Sequence, residues 1–322
     1  MLLHVTAVVL GTLLLVWGAD RFVDGAAALA RRLGISPIII GLTVVSMGTS
    51  LPELLVSLTA TIMGHPDVAV GNVVGSNIAN IGLILGAASL FRPLMVHKSI
   101  LRQEYPFLVC VSVIAWLMAQ NGTFSRFEGI LLVAGLLLFL AKMVADAKLT
   151  ASEVLLHETT LSNPMGPQNV SLKKSLLSLI LGLIGLTAGS RGLVWGGVAL
   201  ARSLGVSELV IGLTLVAVGT SLPELATSVV GAIKKQHDLA VGNVVGSNLF
   251  NTLAILGIPA TIRPLIVSPE AYHRDFPVML LATLVLWPVC RSWSGRQGRV
   301  NRMEGGALLV GYVVYSVYLF KS

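Results

Sequence analysis

One block of sequence occurs twice in this chain. GLTVVSMGTSLPELLVSLTATIMGHPDVAVGNVVGSNIANIGLILG runs from Gly41 to Gly86. GLTLVAVGTSLPELATSVVGAIKKQHDLAVGNVVGSNLFNTLAILG runs from Gly212 to Gly257, with 27 of 46 positions identical at a constant offset of 171. The offset holds upstream, where Ala28 to Ser36 matches Ala199 to Ser207. Downstream, Arg92-Pro93-Leu94 matches Arg263-Pro264-Leu265, and Arg126-Phe127-Glu128-Gly129 resembles Arg302-Met303-Glu304-Gly305 with the offset grown by five. A fold for this chain must therefore be a fold of two similar halves.

Each half divides into five apolar segments. They fall near residues 3–30, 37–63, 67–90, 104–120 and 126–144, and near 174–200, 208–233, 238–261, 276–291 and 303–320. Each is long enough, or nearly so, to cross a hydrocarbon core of about 30 Å at about 1.5 Å per residue. Only 11% of the 322 residues are charged, against about 25% in soluble domains. The expected fold is an all-α polytopic membrane protein of ten spans. The apolar stretch from Val5 to Gly18 has no Lys or Arg before it, so it reads as the first span and not as a cleaved signal. Residues 146–172 are the polar linker between a first repeat (1–145) and a second (173–322).

An odd number of spans per copy forces the second copy to enter from the opposite face, so the repeats are inverted. Charge supports one orientation. With the N-terminus outside, fifteen of the 22 Lys and Arg, from Arg31 and Arg32 to Lys234, Lys235 and Arg302, fall on the inner side. Arg126, Arg202, Arg263, Arg274 and Lys321 fall outside. Basic loops stay inside, so both termini are expected extracytoplasmic and the linker cytoplasmic, in a plasma (inner) membrane. The net charge of +7 then reports topology and headgroup contact, and calls for no nucleic-acid partner.

The chemistry sits in GTSLPE, Gly48 to Glu53 and Gly219 to Glu224, in the middle of the second segment of each half. Proline removes a backbone donor and clashes with the preceding turn, and glycine weakens the helix at the other end. The helix should break there and free carbonyl oxygens, which membrane proteins tolerate where they line a cavity. A carboxylate near the bilayer midplane costs a few kcal/mol on insertion scales, and the paired segments hold no Lys or Arg to offset Glu53 or Glu224. A bound cation or a proton is the remaining counter-charge. Thr49 and Thr220 share a helical face with these glutamates.

The third segment adds GNVVGSN, Gly71 to Asn77 and Gly242 to Asn248, followed by Asn80 and Asn251. Ser76 and Asn80, like Ser247 and Asn251, are four residues apart. The ligand set is all oxygen, which suits calcium or sodium and not zinc or copper. Several neighbours have plainer readings. The Gly71/Gly75 and Gly242/Gly246 pairs suit close helix packing. Asn72, Asn77, Asn243 and Asn248 suit hydrogen bonds between helices. Asp20, Asp24 and Arg191 suit ion pairs or snorkelling. Ser50 and Ser221 have no nearby His, so nucleophilic catalysis lacks its base, and neither an enzyme nor a cofactor is expected.

The paired GTSLPE and GNVVGSN blocks resemble the alpha repeats of the calcium/cation antiporter superfamily, in particular its bacterial inner-membrane sodium/calcium exchangers. The resemblance covers essentially the whole chain. It implies ten helices in two inverted five-helix repeats, with ions held between the second, third, seventh and eighth and a mobile pair formed by the first and sixth. Carried over by position, Glu53 and Glu224 are the central carboxylates, and Thr49 and Thr220 lend backbone and hydroxyl oxygens. Ser50, Ser221, Ser76 and Ser247 complete sodium sites, Ser46 and Ala217 lend carbonyls, and Asn80 and Asn251 flank the centre. Some relatives carry Asp at the position of Asn251, so the Asn here weakens potassium dependence. The expected activity is sodium/calcium antiport by alternating access, with calcium, sodium and the bilayer as partners and no protein partner implied. The alternatives are a proton-coupled cation antiporter and a passive cation channel.

Overall fold

The structure is a computed structural model, and residues 1–158, 171–205, 217–291 and 298–321 are described. The opening of the seventh expected span (208–216), part of the linker (159–170) and Arg296 lie outside the described residues.

The chain is helical almost throughout. Helices α1 (Leu2–Leu33) and α7 (Leu172–Ser203) open the two halves. The second segment of the first half is a bent pair, α2 (Pro37–Thr49) and α3 (Leu51–Ile62), meeting at 45°. Next come α4 (Pro66–Phe91), α5 (Ile100–Asn121) and α6 (Arg126–Glu158). In the second half the same order gives α8 (Ala217–Thr220), α9 (Leu222–Ile233), α10 (His237–Ile262), α11 (Phe276–Cys290) and α12 (Arg302–Lys321). Among the described residues, six helices are long and apolar enough to cross a membrane, or seven with the α2–α3 pair taken as one span. A multi-pass membrane fold follows directly.

One helix overruns its expected end. The apolar pattern sets the fifth segment at 126–144, yet α6 continues to Glu158. Residues Ala145 to Glu158 contain neither Gly nor Pro and include strong helix formers, so nothing local stops the helix. The expected all-helical fold also carries two short antiparallel ribbons. Strand β1 (Leu94–Val96) pairs with β4 (Gly298–Val300), and β2 (Thr123–Phe124) with β3 (Leu265–Ile266). The 22-residue α5 separates β1 from β2 by about 33 Å of helix, so the ribbons tie the halves together at its two ends.

Other ties follow the same pairing. Arg126 at the start of α6 donates to the Ile262 carbonyl at the end of α10, and Arg302 at the start of α12 donates to the Phe91 carbonyl at the end of α4. Each closes a helix C-terminus whose last carbonyls lack intrahelical partners. Both α6 and α12 open on a capping box. The Ser125 and Asn301 amides donate to Glu128 and Glu304 at 2.7 Å. Both glutamates stand at their helix starts, where an acidic group suits the helix dipole.

Burial separates core from periphery. Every residue of the most apolar window of α10 is buried, against 22% in α1 and in α6. Helix α10 is the centre, and Leu10, Leu13 and Val16 of α1, with Leu137 and Leu138 of α6, face outward as lipid contacts.

Helices α1 and α7 pack along their length by glycine. Gly11, Gly18 and Gly25 recur every seven residues on α1, and Gly182, Gly189 and Gly196 do so on α7. A methyl group on Gly11 would lie 2.6 Å from the Leu193 amide, and one on Gly189 would lie 2.5 Å from the Leu15 amide. The backbones touch, and van der Waals packing there replaces the hydrophobic drive that lipid removes. Gly189→Ala should therefore destabilise the protein by at least ~2 kcal/mol, read as a lower detergent melting temperature. Gly192→Ala, whose methyl would sit 3.7 Å from Gly11, should leave that temperature unchanged.

Candidate cation site

Both GTSLPE motifs break their helix one residue before the leucine. Ser50 (φ −88°, ψ 7°) and Ser221 (φ −89°, ψ 6°) leave helical geometry, and Pro52 and Pro223 each remove the donor that would return to Gly48 or Gly219. The Gly219 carbonyl takes a replacement bond of 2.7 Å from the Ser190 hydroxyl on α7. The equivalent position on α1 is Ala19, which has no hydroxyl to offer Gly48.

The bends aim each motif at the other half. Ser50 Oγ donates to Glu224 Oε1 at 2.8 Å, and Ser221 Oγ donates to Glu53 Oε1 at 3.3 Å. Glu53 and Glu224 are 1% and 2% exposed, so both are removed from lipid and water alike. Their second oxygens, Glu53 Oε2 and Glu224 Oε2, are buried with no hydrogen-bond donor among the described residues. Asn251 Oδ1 is in the same condition. Buried acceptors of this kind normally find a donor or a positive ion.

Helices α4 and α10 hold the motifs in place. Asn72 donates to the Glu53 carbonyl and to Ser57 Oγ (3.1 and 2.9 Å), and Asn243 donates to the Glu224 carbonyl and Ser228 Oγ (3.4 and 3.0 Å). The expected interhelix role of these asparagines is realised, and each positions a glutamate backbone. Thr49 Oγ1 reaches Asn243 Oδ1 at 3.2 Å, and Ser50 Oγ reaches Ser247 Oγ at 3.2 Å. Ser57 and Ser228 escaped notice in the sequence, although each recurs four residues after its glutamate.

Beyond the glutamates the asparagines cross between halves. Asn80 donates to Asn248 Oδ1 at 2.9 Å, and Asn251 donates to Asn77 Oδ1 at 3.1 Å. Asn80 and Asn251 each begin a widened π-helical stretch, Asn80–Leu85 and Asn251–Ile255, a feature common at functional positions. The symmetry fails at one place. Asn77 Nδ2 donates to Thr252 Oγ1 at 2.9 Å, but Ile81 occupies the equivalent of Thr252 and Asn248 Nδ2 is left buried without an acceptor among the described residues. Supplying one should help, so Ile81→Thr is expected to raise the melting temperature by the equivalent of ~1 kcal/mol.

Of the residues singled out in the sequence, Thr49, Ser50, Glu53, Ser221, Glu224 and Ser247 meet across this interface, with Asn80 and Asn251 adjoining. Ser76 is buried one turn before Asn80. Thr220 ends α8 beside a cavity wall. Ser46 turns its hydroxyl onto the Leu42 carbonyl at 2.8 Å, and its own carbonyl accepts the Ser50 amide at 3.0 Å. Ala217 opens α8, and its side chain is outside the described residues. The second-half glycines pack as expected, with Gly246 against Leu42 and Ser46. Gly71 and Gly75 have no described neighbour this close. Among the described residues no cluster holds three or more His, Cys, Asp or Glu.

The two sides of the site differ. On one side, Leu222, Ala226 and Val230 of α9 pack against the core of α1. Lys234 beyond them pairs with Asp20 at 2.6 Å and Asp24 at 2.7 Å, the ion pairing expected for those two residues. On the other side, the equivalent face of α3, from Pro52 through Leu55 and Thr59 to Met63, lines a cavity of about 690 Å³ that reaches Gly219 and Thr220.

The family model for the sodium/calcium exchanger protein matches residues 3–144 and 174–321. The chain belongs to the sodium/calcium exchanger family. It is 44% identical over 100% of both chains to a protein given the name antiporter CaxA from Alkalimonas amylolytica. It is 43% identical to inner membrane protein YrbG of Escherichia coli K12, covering 99% of this chain and 98% of that one. Crystals of the sodium-calcium exchanger NCX_Mj soaked with sodium share the fold at a TM-score of 0.83 and 32% identity, over 99% of both chains.

Proposed function

We propose that this family member is a secondary antiporter that exchanges sodium for calcium by alternating access, with Glu53 and Glu224 as the central cation-binding carboxylates. One observation carries the reading. Two buried carboxylates each give one oxygen to a serine of the opposite half and keep the other free of any described donor. Two negative charges match one divalent ion, and hydroxyl and amide oxygens of Thr49, Ser50, Ser76, Asn80, Thr220, Ser221, Ser247 and Asn251 can serve sodium in its place. Carbonyls at Ser46 and Ala217 would join once the turn before each bend loosens. Competition of unlike ions for one negative pocket is the physical basis of exchange. The relative MaX1 of Methanosarcina acetivorans, 33% identical over 97% of both chains, is named a sodium/calcium exchanger, and NCX_Mj crystals were soaked with sodium, calcium or strontium.

The reading includes ten helices in two inverted repeats, both termini extracytoplasmic, a cytoplasmic linker and residence in the inner membrane. The ribbons, arginine caps and Ser–Glu bonds, each made twice between halves, support that arrangement. Helices α1 and α7, joined by glycine contacts, move as one body. The protein moves ions and performs no covalent chemistry.

Everted vesicles containing the protein should accumulate calcium when a sodium gradient is imposed, and Glu53→Gln or Glu224→Gln should abolish that uptake. Intact uptake in both variants would falsify the site assignment. Uptake driven by a pH gradient without sodium would select a proton-coupled antiporter, and flux with no counter-ion a channel.

The lysine contact adds a second expectation. Lys234 fastens α1 to the end of α9 on the closed side, through side chains that are 27 to 57% exposed. Such pairs contribute ~1 kcal/mol, so Lys234→Met should raise the population open on that side about fivefold. A cysteine at Val230, in a background lacking Cys110 and Cys290, should then react with a polar maleimide about fivefold faster.

A further inference from the structure

The repeat pairs Asp20 with Arg191, Asp24 with Trp195 and Lys234 with Met63. On the closed side the three residues form the ion pairs of Lys234 with Asp20 and Asp24. On the open side Arg191, Trp195 and Met63 all line the 690 Å³ cavity. That cavity runs from the turn between α3 and α4, where Met63 and His65 are exposed, to Gly219 and Thr220 of the second motif. Arg191 is exposed and has no hydrogen-bond or ion-pair partner among the described residues. No other Lys, Arg, Asp or Glu lines the described wall. An uncompensated positive charge thus stands on a passage leading to a site for positive ions.

We propose that Arg191 is a specificity-determining residue that discriminates by valence, disfavouring divalent ions relative to monovalent ones at the open mouth. The inference rests on the exchange reading above. A fixed charge sets a local potential, and an ion's energy in that potential scales with its own charge. Whatever factor Arg191 imposes on a monovalent ion, it imposes the square of that factor on a divalent one. A unit charge about 10 Å away through water lowers monovalent occupancy about twofold and divalent occupancy about fourfold. The field weakens as ionic strength rises, with a Debye length of about 8 Å at physiological salt. Arg191 therefore raises the half-saturating concentration of calcium by more than it raises that of sodium. The closed side carries no such barrier, because Lys234 is shared by Asp20 and Asp24 and that cluster keeps one net negative charge.

The test measures half-saturating concentrations of Ca²⁺ and Na⁺ separately at low ionic strength, from each face of oriented vesicles. Arg191→Gln should lower the Ca²⁺ value about fourfold and the Na⁺ value about twofold, on the face where the cavity opens. Arg191→Lys should keep both values. Met63→Lys, which adds charge to the same wall without touching Arg191, should raise both with the same square relation. No shift, or equal factors for the two ions, overturns the proposal and leaves Arg191 as a headgroup contact. Wild-type protein without sodium-driven calcium uptake would instead refute the exchange reading, an outcome separable from any result on Arg191.

Discussion

Two carboxylates buried in an apolar slab set the terms for the rest of this structure. A charge cannot stand alone at that depth, and no Lys or Arg among the described residues pairs with either glutamate. Each glutamate meets a serine from the far half and an asparagine that fixes its backbone. These bonds satisfy some of its lone pairs and leave one oxygen over. Because the stabilising partner of each carboxylate lies on the other repeat, neither half can build the site by itself. The terminal ribbons and the arginine caps between halves have the same character. They hold two copies in register so that two short polar motifs can face one another.

Much of this could be read from the residues. Gly48 and Pro52 announced the bend, and their recurrence at Gly219 and Pro223 marked it as a feature of both halves. The helix limits fell within a few residues of the apolar runs, except where α6 continues through a stretch that carries no breaker. What could not be read was partnership across the repeat. Ser50 and Glu224 are 174 residues apart, and no local spacing links them. Ser190 carries no motif of its own, and only the fold brings its hydroxyl to the Gly219 carbonyl. The seven-residue glycine spacing of α1 and α7 was visible but yields its meaning only when two such helices lie backbone to backbone.

The comparison of halves is most informative where it fails. Repetition at an offset of 171 makes each position of one half a control for its mate. Thr252 closes a hydrogen bond that Ile81 cannot. Lys234 fastens its helix where Met63 leaves a passage open. These departures separate what the site needs from what each face of the molecule does. The glutamates, serines and asparagines that contact one another are preserved in both copies, while the residues that differ include a buried neighbour of the asparagines, Thr252 against Ile81, as well as those along the approaches.

The bond from Ser190 to the Gly219 carbonyl shows what such a departure entails. A carrier with two identical halves would run its cycle with the same microscopic rate constants whichever compartment it faced. With a hydroxyl on α7 and only a methyl on α1, the broken turn of the second motif is tethered to its neighbouring long helix and that of the first is not. In the proposed alternating-access cycle, the intermediates facing the two compartments then differ in energy. Ion gradients still fix the direction of net flux, but saturation and turnover need not match between forward and reverse operation.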